Sequence, residues 1–159
     1  MDKVVNIGLI GFGAAGQVFH APVISAVVGL RLHRVTARKP EQQQLLRQRY
    51  PGAIPMINAD DIIQADDIDL VVVATSNDAH YSLTRAALLA GKHVVVEKPF
   101  TNTSAEADEL IALAQRERRL LTVHHNTRWN SDYLTVKKVI ESGRLGRLVA
   151  FEARYDRFR

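Results

Sequence analysis

Three glycines near the start of the chain have the spacing of a phosphate-binding turn. Gly11, Gly13 and Gly16 form the pattern G-x-G-x-x-G between an apolar run, VVNIGLI, and a helix-like stretch, GQVFHAPVISAVVG. In such a unit the first glycine makes the turn, the second lets the backbone approach a pyrophosphate, and the third brings the helix onto the sheet. The residues predicted to hold a dinucleotide are Gly11, Phe12, Gly13, Ala14, Ala15 and Gly16. A structural turn that binds nothing is the alternative.

Two cations follow the second apolar stretch, LRLHRVTA, at residues 30–37. Arg38 and Lys39 stand about 20 residues after the glycines, where NAD-binding proteins usually carry an acidic residue for the ribose hydroxyls. Cations cannot accept hydrogen bonds from a diol, but they bind a 2′-phosphate. The pair therefore favours NADP, with NAD still possible, unless both side chains are merely solvated ahead of the next helix.

A lysine closes another apolar stretch, VVVEKPF, at residues 94–100. The carboxyl end of a parallel strand faces the ligand crevice, so Lys98 is expected to point there. Pro99 fixes the turn after it, for which a cis bond is one route. A lysine so placed can hydrogen-bond a substrate hydroxyl and help move its proton as hydride leaves the same carbon. An ordinary surface lysine explains the spacing equally well.

Small polar residues follow the apolar stretch IDLVVVAT. Thr75, Ser76, Asn77 and His80 are thereby placed at the ligand edge of the sheet, where such side chains contact ribose or nicotinamide. His80 is explained equally well as an early helix residue with a local hydrogen bond.

Composition excludes several other kinds of chemistry. The absence of cysteine excludes disulfides, thiolate metal sites and thiol nucleophiles. His124 and His125 are adjacent, so on a strand they face opposite ways, and no carboxylate pair is spaced to complete a metal site. No metal is therefore expected. Neither a signal-like start nor an apolar run of ~20 residues occurs, so we expect a cytoplasmic protein without a membrane partner.

The net charge of +4 comes from the end of the chain. Residues 1–127 carry 13 basic and 13 acidic side chains, whereas residues 128–159 carry eight and four. A basic segment with interleaved aromatics is typical of nucleic-acid binders, which leaves that function as an alternative. A solvated helix face accounts for the same charges, so no nucleic-acid partner is expected.

Strand and helix patterns alternate about six times, which predicts an α/β fold with a Rossmann-type doubly wound parallel sheet over residues 1–123. Pro22 is expected to kink or restart the first helix. The predicted strands are 4–10, 30–37, 53–57, 68–75, 92–100 and 120–126. The predicted helices are 16–29, 40–50, 58–66, 78–91 and 104–119, with Asn58 or Asp60 capping the third, Ser104 capping the fifth and Gly91 ending the fourth.

The pattern changes after about residue 124. One helix, 131–143, and one strand, 147–158, cannot bury a core of their own. Residues 124–159 are therefore interpreted as the truncated start of a second α/β domain. Its strand is expected to leave residues 148–154 as an unpaired edge, which predicts self-association or a frayed tail.

Four segments together resemble the Gfo/Idh/MocA oxidoreductases, NAD(P)-dependent dehydrogenases of sugars, inositols and related polyols: IGLIGFGAAG with FHAP, IDLVVVATSNDAH, AGKHVVVEKPFT, and HHNTRWNSDYLTVKKVIESGRLGRL. The ending FEARYDRFR is similar to a subgroup that includes scyllo-inositol dehydrogenases. The resemblance implies that Lys98 is the catalytic lysine. It also implies that the cofactor site includes Thr75, Asn77, His80, Glu97, Lys98, Asn126, Arg128 and Trp129.

The same resemblance implies an oxidoreductase that transfers hydride between NAD(P) and a hydroxyl- or carbonyl-bearing carbon of a polyol. This chain is then the cofactor-binding portion of a protein about twice as long, inactive alone. A region beyond Arg159 is expected to supply an aspartate, a histidine, most substrate contacts and a homo-oligomer surface. A non-catalytic NAD(P)-sensing regulator of the same fold is the alternative, which the intact E-K-P segment disfavours.

Overall fold

Six short strands form the frame of the protein in a computed structural model that describes residues 4–156. They are β1 (Val5–Ile10), β2 (Leu30–Thr36), β3 (Ile54–Met56), β4 (Leu70–Val73), β5 (His93–Glu97) and β6 (Leu121–His124). The helices are α1 (Ala21–Ala26), α2 (Pro40–Arg49), α3 (Asp60–Ile63), α4 (His80–Leu89), α5 (Ser104–Arg116) and α6 (Ser131–Glu141). Each of the six strands predicted before residue 127 contains an observed one.

All strand pairs are parallel, and the order in the sheet is β3-β2-β1-β4-β5-β6. This is the doubly wound Rossmann order, so the predicted fold class is confirmed. The order reverses between β1 and β4, and in such sheets ligands bind beyond the strand ends at this reversal.

The core lies on both faces of the sheet because the central strands are apolar on both sides. In β4, Val71 and Val73 face a cluster with α3, α4 and α5. Val72 between them belongs to a second cluster with α1 and α2. Continuous apolar runs of this kind are typical of parallel strands covered by helices on both faces.

The winding of the first helix changes at Ala21, next to Pro22, where the sequence predicts a kink or restart. A π-helical turn, Gly16–His20, precedes α1, and the N–H of Ala21 donates to the carbonyl of Gly16 five residues earlier. Proline has no N–H to continue the ordinary ladder, so a change of winding here has a local cause. The wide turn ends at His20, whose side chain is buried.

Two of the predicted helix caps are wrong. No side chain caps α3, and Thr103 caps α5 instead of Ser104, because its hydroxyl accepts the N–H of Glu106 while the Glu106 carboxylate accepts the N–H of Thr103. This reciprocal arrangement places the cap of α5 one residue earlier than predicted. Gly91 follows α4 with φ of 74°, which confirms the predicted stop.

The chain divides into two compact units, the first ending at His124 and the second beginning at His125. The second unit contains a 3₁₀ turn, Asn126–Trp129, and α6. Residues 147–156 form no strand, so the strand predicted at 147–158 is wrong over its described part, and its residues 157–158 lie outside the described range. A strand needs a hydrogen-bonding neighbour, and the described part of this unit offers none.

None of the helices within residues 4–156 has the length and apolar character needed to cross a bilayer.

Candidate functional site

A cleft of about 660 Å³ opens at the carboxyl ends of β1, β2 and β4. It lies at the reversal of strand order, where the topology predicts a ligand. The sequence-predicted residues that line it are Gly11, Phe12, Gly13, Ala14, Ala15, Arg38, Lys39, Thr75 and Ser76. The fold thus brings the glycine turn, the two cations and part of the segment after β4 into one cleft.

The three glycines of the turn have three different environments. Gly11 has φ of 108°, and a Cβ there would collide with the Ala74 carbonyl at the end of β4. A Cβ on Gly16 would collide with the Gly11 carbonyl, so Gly16 permits close packing of helix on turn. A Cβ on Gly13 would meet no atom within 4 Å. Gly13 therefore leaves open space at the cleft, as a backbone that receives a pyrophosphate requires.

Three side chains that the sequence did not single out hold this turn in place. Thr36, at the end of β2, accepts the N–H of Gly11 at 2.6 Å. The carbonyl of Phe12 accepts the side-chain amides of Gln17 at 2.8 Å and Gln42 at 3.0 Å. Phe12 lines the cleft, and its buried ring also anchors the turn in the core.

Gln42 also connects the turn to the two cations, because its amide oxygen accepts the N–H of Lys39 at 3.3 Å. A glutamine at the third position of a helix often accepts the backbone N–H of the residue that precedes the helix. This capping signal in the sequence could have identified Gln42. Arg38 and Lys39 are exposed and form no ion pair within residues 4–156. Their positive charge is available to an anion in the cleft.

Lys98 follows β5 directly and is joined to Pro99 by a cis peptide bond. The side chain is exposed and does not line the 660 Å³ cleft. Its backbone N–H donates to Oε2 of Glu97 at 3.1 Å. The structure therefore places Lys98 just after the carboxyl end of β5, and the side chain of Glu97 holds its main chain in position.

Glu97 is the centre of a cluster, with two buried members and one partly exposed, that local sequence does not reveal. Its Oε1 accepts Nε2–H of His20 and Nδ1–H of His124, each at 2.8 Å. The two imidazole rings lie 4.4 Å apart. We call His20, Glu97 and His124 the histidine–glutamate cluster. It joins the π-helical turn, β5 and β6 at the end of the sheet that carries Lys98.

The protonation states of the cluster follow from burial and hydrogen bonding. Burial alone raises the pKa of Glu97, but the hydrogen bonds from His124, His20 and the Lys98 N–H outweigh it and hold that pKa below its usual value. Burial lowers the pKa of His20 and outweighs its hydrogen bond to Glu97. At neutral pH the carboxylate is therefore ionised and His20 is neutral.

The histidine–glutamate cluster contains side chains of the kinds that bind metal ions, whereas the sequence analysis expects no metal. Within the described residues, one ligand atom from each of its three members lies within 4.8 Å of the others. The sequence argument weighed only His124, His125 and nearby carboxylates, and so missed partners that the fold supplies. Carboxylate acceptor and imidazole donors satisfy one another directly, so the arrangement is explained without an ion.

The other predicted site residues lie elsewhere. His80 is buried, with Nδ1 at 2.7 Å from the Pro99 carbonyl and Nε2 at 3.3 Å from the Thr75 carbonyl, and it does not line the cleft. Asn77 is exposed in a 3₁₀ turn before α4. The second unit contains Asn126, Arg128 and Trp129. Cofactor contacts by these residues remain predictions.

Folding stability is expected to fall as the solution is acidified from about pH 7. The unfolded chain protonates His20 near its ordinary pKa of 6.5, whereas the folded chain, with a lowered pKa, binds less proton at the same pH. Stability therefore rises with pH across this range. The contribution of Glu97 is present above its ordinary pKa of 4.5 and is lost as the pH falls through the folded value.

Thermal unfolding of the chain between pH 8 and pH 4 measures this dependence. His20→Gln retains an N–H donor but does not titrate, so its stability is expected to vary less between pH 6.5 and 5. An equally steep curve for the variant would contradict the assignment.

Comparison with known proteins agrees with this geometry. Residues 5–125 match the model of the Gfo/Idh/MocA family, described as an oxidoreductase family with an NAD-binding Rossmann fold. The chain is 42% identical over 159 residues to an uncharacterized oxidoreductase, YdgJ, of Escherichia coli strain K12, covering 100% of this chain and 45% of YdgJ. It is 34% identical over 155 residues to scyllo-inositol 2-dehydrogenase (NADP(+)) IolW of Bacillus subtilis strain 168, covering 98% and 42%.

A crystal structure of a protein from Klebsiella pneumoniae has the same fold, with a TM-score of 0.93 and 48% identity over 99% of this chain and 45% of that one. The chain thus spans less than half the length of the relatives it matches.

Proposed function

This chain belongs to the Gfo/Idh/MocA oxidoreductase family, and on that premise we propose that it is the NADP-binding portion of a dehydrogenase acting on a sugar, inositol or related polyol. The dehydrogenase moves hydride between the nicotinamide and a carbon that bears a hydroxyl or carbonyl group. The proposal includes a homo-oligomer formed through a region beyond this chain and a cytoplasmic location, both taken from the resemblance and composition.

The observation that carries the proposal is the composition of the cleft. A glycine turn with open space at Gly13 and two exposed cations, Arg38 and Lys39, line the same 660 Å³ cavity. Backbone N–H groups suit a pyrophosphate, and a guanidinium suits a phosphate through paired hydrogen bonds. The residues present therefore fit a phosphorylated dinucleotide.

The preference for NADP is supported by what stands after β2. An acidic side chain there would accept hydrogen bonds from ribose hydroxyls, whereas Arg38 and Lys39 can only donate. IolW, whose name specifies NADP and scyllo-inositol, is 34% identical to this chain. That relative supports both the cofactor and the class of substrate.

Lys98 is the residue proposed to act on the substrate. When bound, the cofactor supplies or accepts the hydride. In oxidation, Lys98 hydrogen-bonds the hydroxyl oxygen and accepts its proton as the hydride leaves the carbon. In reduction, Lys98 returns a proton to the carbonyl oxygen as the hydride joins the carbon. Exposure of the Lys98 side chain beyond the cofactor cleft leaves it accessible to a second ligand.

Parallel calorimetric titrations of the chain with NADPH and NADH test the cofactor proposal. We expect tighter binding of NADPH, and we expect Arg38→Ala to weaken NADPH by roughly 10- to 100-fold, the equivalent of one or two lost charge-assisted hydrogen bonds. NADH affinity should change little. Arg47→Ala, an exposed arginine of α2 that does not line the cleft, is the matched control.

Two results would overturn parts of the proposal. Tighter binding of NADH would keep the dinucleotide site and refute the cofactor preference. An equal loss of NADPH and NADH affinity in Arg38→Ala would show that Arg38 does not recognise the 2′-phosphate.

A further inference from the structure

The histidine–glutamate cluster uses both oxygens of one carboxylate, and they face different partners. Oε1 of Glu97 accepts the two imidazole N–H groups at 2.8 Å each, and Oε2 accepts the backbone N–H of Lys98 at 3.1 Å. His20 is 77 residues from Glu97 in sequence and His124 is 27 residues from it. Distant parts of the chain therefore converge on the residue that precedes the lysine.

Two donors from different elements fix the position of Oε1. His20 approaches from the end of the π-helical turn and His124 from the end of β6. The carboxylate is planar and rigid, so fixing the position of Oε1 also restricts Oε2, which is the acceptor of the Lys98 N–H. Loss of either imidazole donor would free the carboxylate to rotate.

The cluster also offsets the free-energy cost of burying the ionised carboxylate of Glu97. Glu97 and His20 are 7% and 5% exposed, and a buried charge is costly unless hydrogen bonds compensate it. Without both donors, Glu97 would take up a proton or turn toward water, and either change would weaken its bond to the Lys98 N–H.

Lys98 is held through its main chain rather than through its side chain. Its side chain is exposed, and within residues 4–156 its ammonium has no hydrogen bond or ion pair. The direction in which the side chain leaves the main chain is therefore set mainly by the backbone at Glu97 and Lys98. A small change there moves the ammonium by a larger distance.

We propose that His20 and His124 are positioning residues that act through Glu97 to hold the main chain of Lys98 in the orientation needed for proton transfer. The proposal rests on the function given above, in which Lys98 exchanges a proton with the substrate. It assigns a role to two histidines that do not touch the cofactor cleft.

The two histidines use different ring nitrogens, and this permits a crossed test. His20 donates from Nε2, which the amide of glutamine can replace but the shorter asparagine cannot reach. His124 donates from Nδ1, which asparagine can replace but the longer glutamine overshoots. Each amide restores the hydrogen bond at one position and not at the other. The effect of the hydrogen bond is thereby separated from the effects of side-chain polarity and size.

Hydrogen exchange of the Lys98 amide in this chain gives a readout that does not depend on catalysis. We expect His20→Asn and His124→Gln to speed exchange at Lys98 by about tenfold or more relative to the intact chain, since a lost bond of about 1.4 kcal/mol is a factor of ten. His20→Gln and His124→Asn should stay within about threefold of the intact chain. Equal exchange in all four variants would overturn the proposal.

Steady-state kinetics of the dehydrogenase that contains this chain give the second readout. We expect kcat to fall by roughly 10- to 100-fold in His20→Asn and His124→Gln, with cofactor affinity nearly unchanged, and to recover in the two replacement variants. A fall in cofactor affinity equal to the fall in kcat, or no recovery, would overturn the positioning role.

Lys98→Ala, measured alongside, separates the two proposals. Loss of turnover in Lys98→Ala together with full kcat in His20→Asn and His124→Gln would refute the positioning role and keep the proposed function. Turnover that survives in Lys98→Ala would refute the function of Lys98 and the positioning role together.

Discussion

Replacing Lys98 with alanine is expected to lower turnover of the dehydrogenase by roughly 10²- to 10⁴-fold, the usual contribution of a positioned proton-transfer group. Cofactor affinity should change by less than about threefold, because Lys98 does not line the cofactor cleft. The measurement is kcat with a polyol substrate, together with a calorimetric Kd for NADPH. Folding should be unaffected, since the side chain is exposed.

Lys98→Arg sharpens this experiment. A guanidinium keeps the positive charge but is always protonated, so it can donate a hydrogen bond and cannot accept the proton of the substrate. If proton transfer is the role, arginine should be nearly as inactive as alanine. If only charge or hydrogen bonding is needed, arginine should restore much of the activity. Lys138→Ala, an exposed lysine of α6, is the matched control and should leave turnover unchanged.

Turnover of Lys98→Ala within a few-fold of the unaltered protein would contradict the assignment. If instead the unaltered protein bound NADPH but turned over no polyol, a regulator that senses the cofactor would account for the fold better than an enzyme does.

Replacing Gly13 with valine is expected to weaken NADPH and NADH binding by about 100-fold or more. The side chain would enter the open space of the cleft and keep a pyrophosphate from the backbone N–H groups of the turn. Loss of two charge-assisted hydrogen bonds at ~1.5 kcal/mol each gives this factor. Because a Cβ at Gly13 meets no atom within 4 Å, the fold should tolerate the change.

Gly52 provides the control for this effect. A Cβ at Gly52 also meets no atom within 4 Å, and Gly52 does not line the cleft. Gly52→Val should therefore match Gly13→Val in thermal unfolding and differ from it in cofactor affinity. Calorimetry and thermal unfolding of both variants decide the point. Unchanged affinity in Gly13→Val would exclude the glycine turn as the phosphate site.

Much of the frame could be predicted because its signals are local. An apolar run such as residues 68–75 is long enough for a strand buried on both faces, and glycine spacing marks the turn at Gly11 because only glycine avoids a clash there. The alternation of such segments then implies the parallel sheet and the edge at which a ligand binds.

Several features depend on neighbours that a local pattern cannot specify. The strand predicted at 147–158 does not form within its described residues, because a strand requires a pairing partner and alternation of residues does not supply one. Capping of α5 by Thr103 rather than Ser104 was decided by which hydroxyl could reach the N–H of Glu106.

The Rossmann frame, the glycine turn, and the placement of Arg38 and Lys98 after their strands could be inferred from sequence alone, because each depends on a few consecutive residues. Only the tertiary structure brought His20 and His124 to Glu97, and Thr36 to Gly11. Hydrogen bonds between residues 25 to 77 positions apart leave no periodic trace in the sequence, since they arise when the chain closes and buried polar groups must find partners.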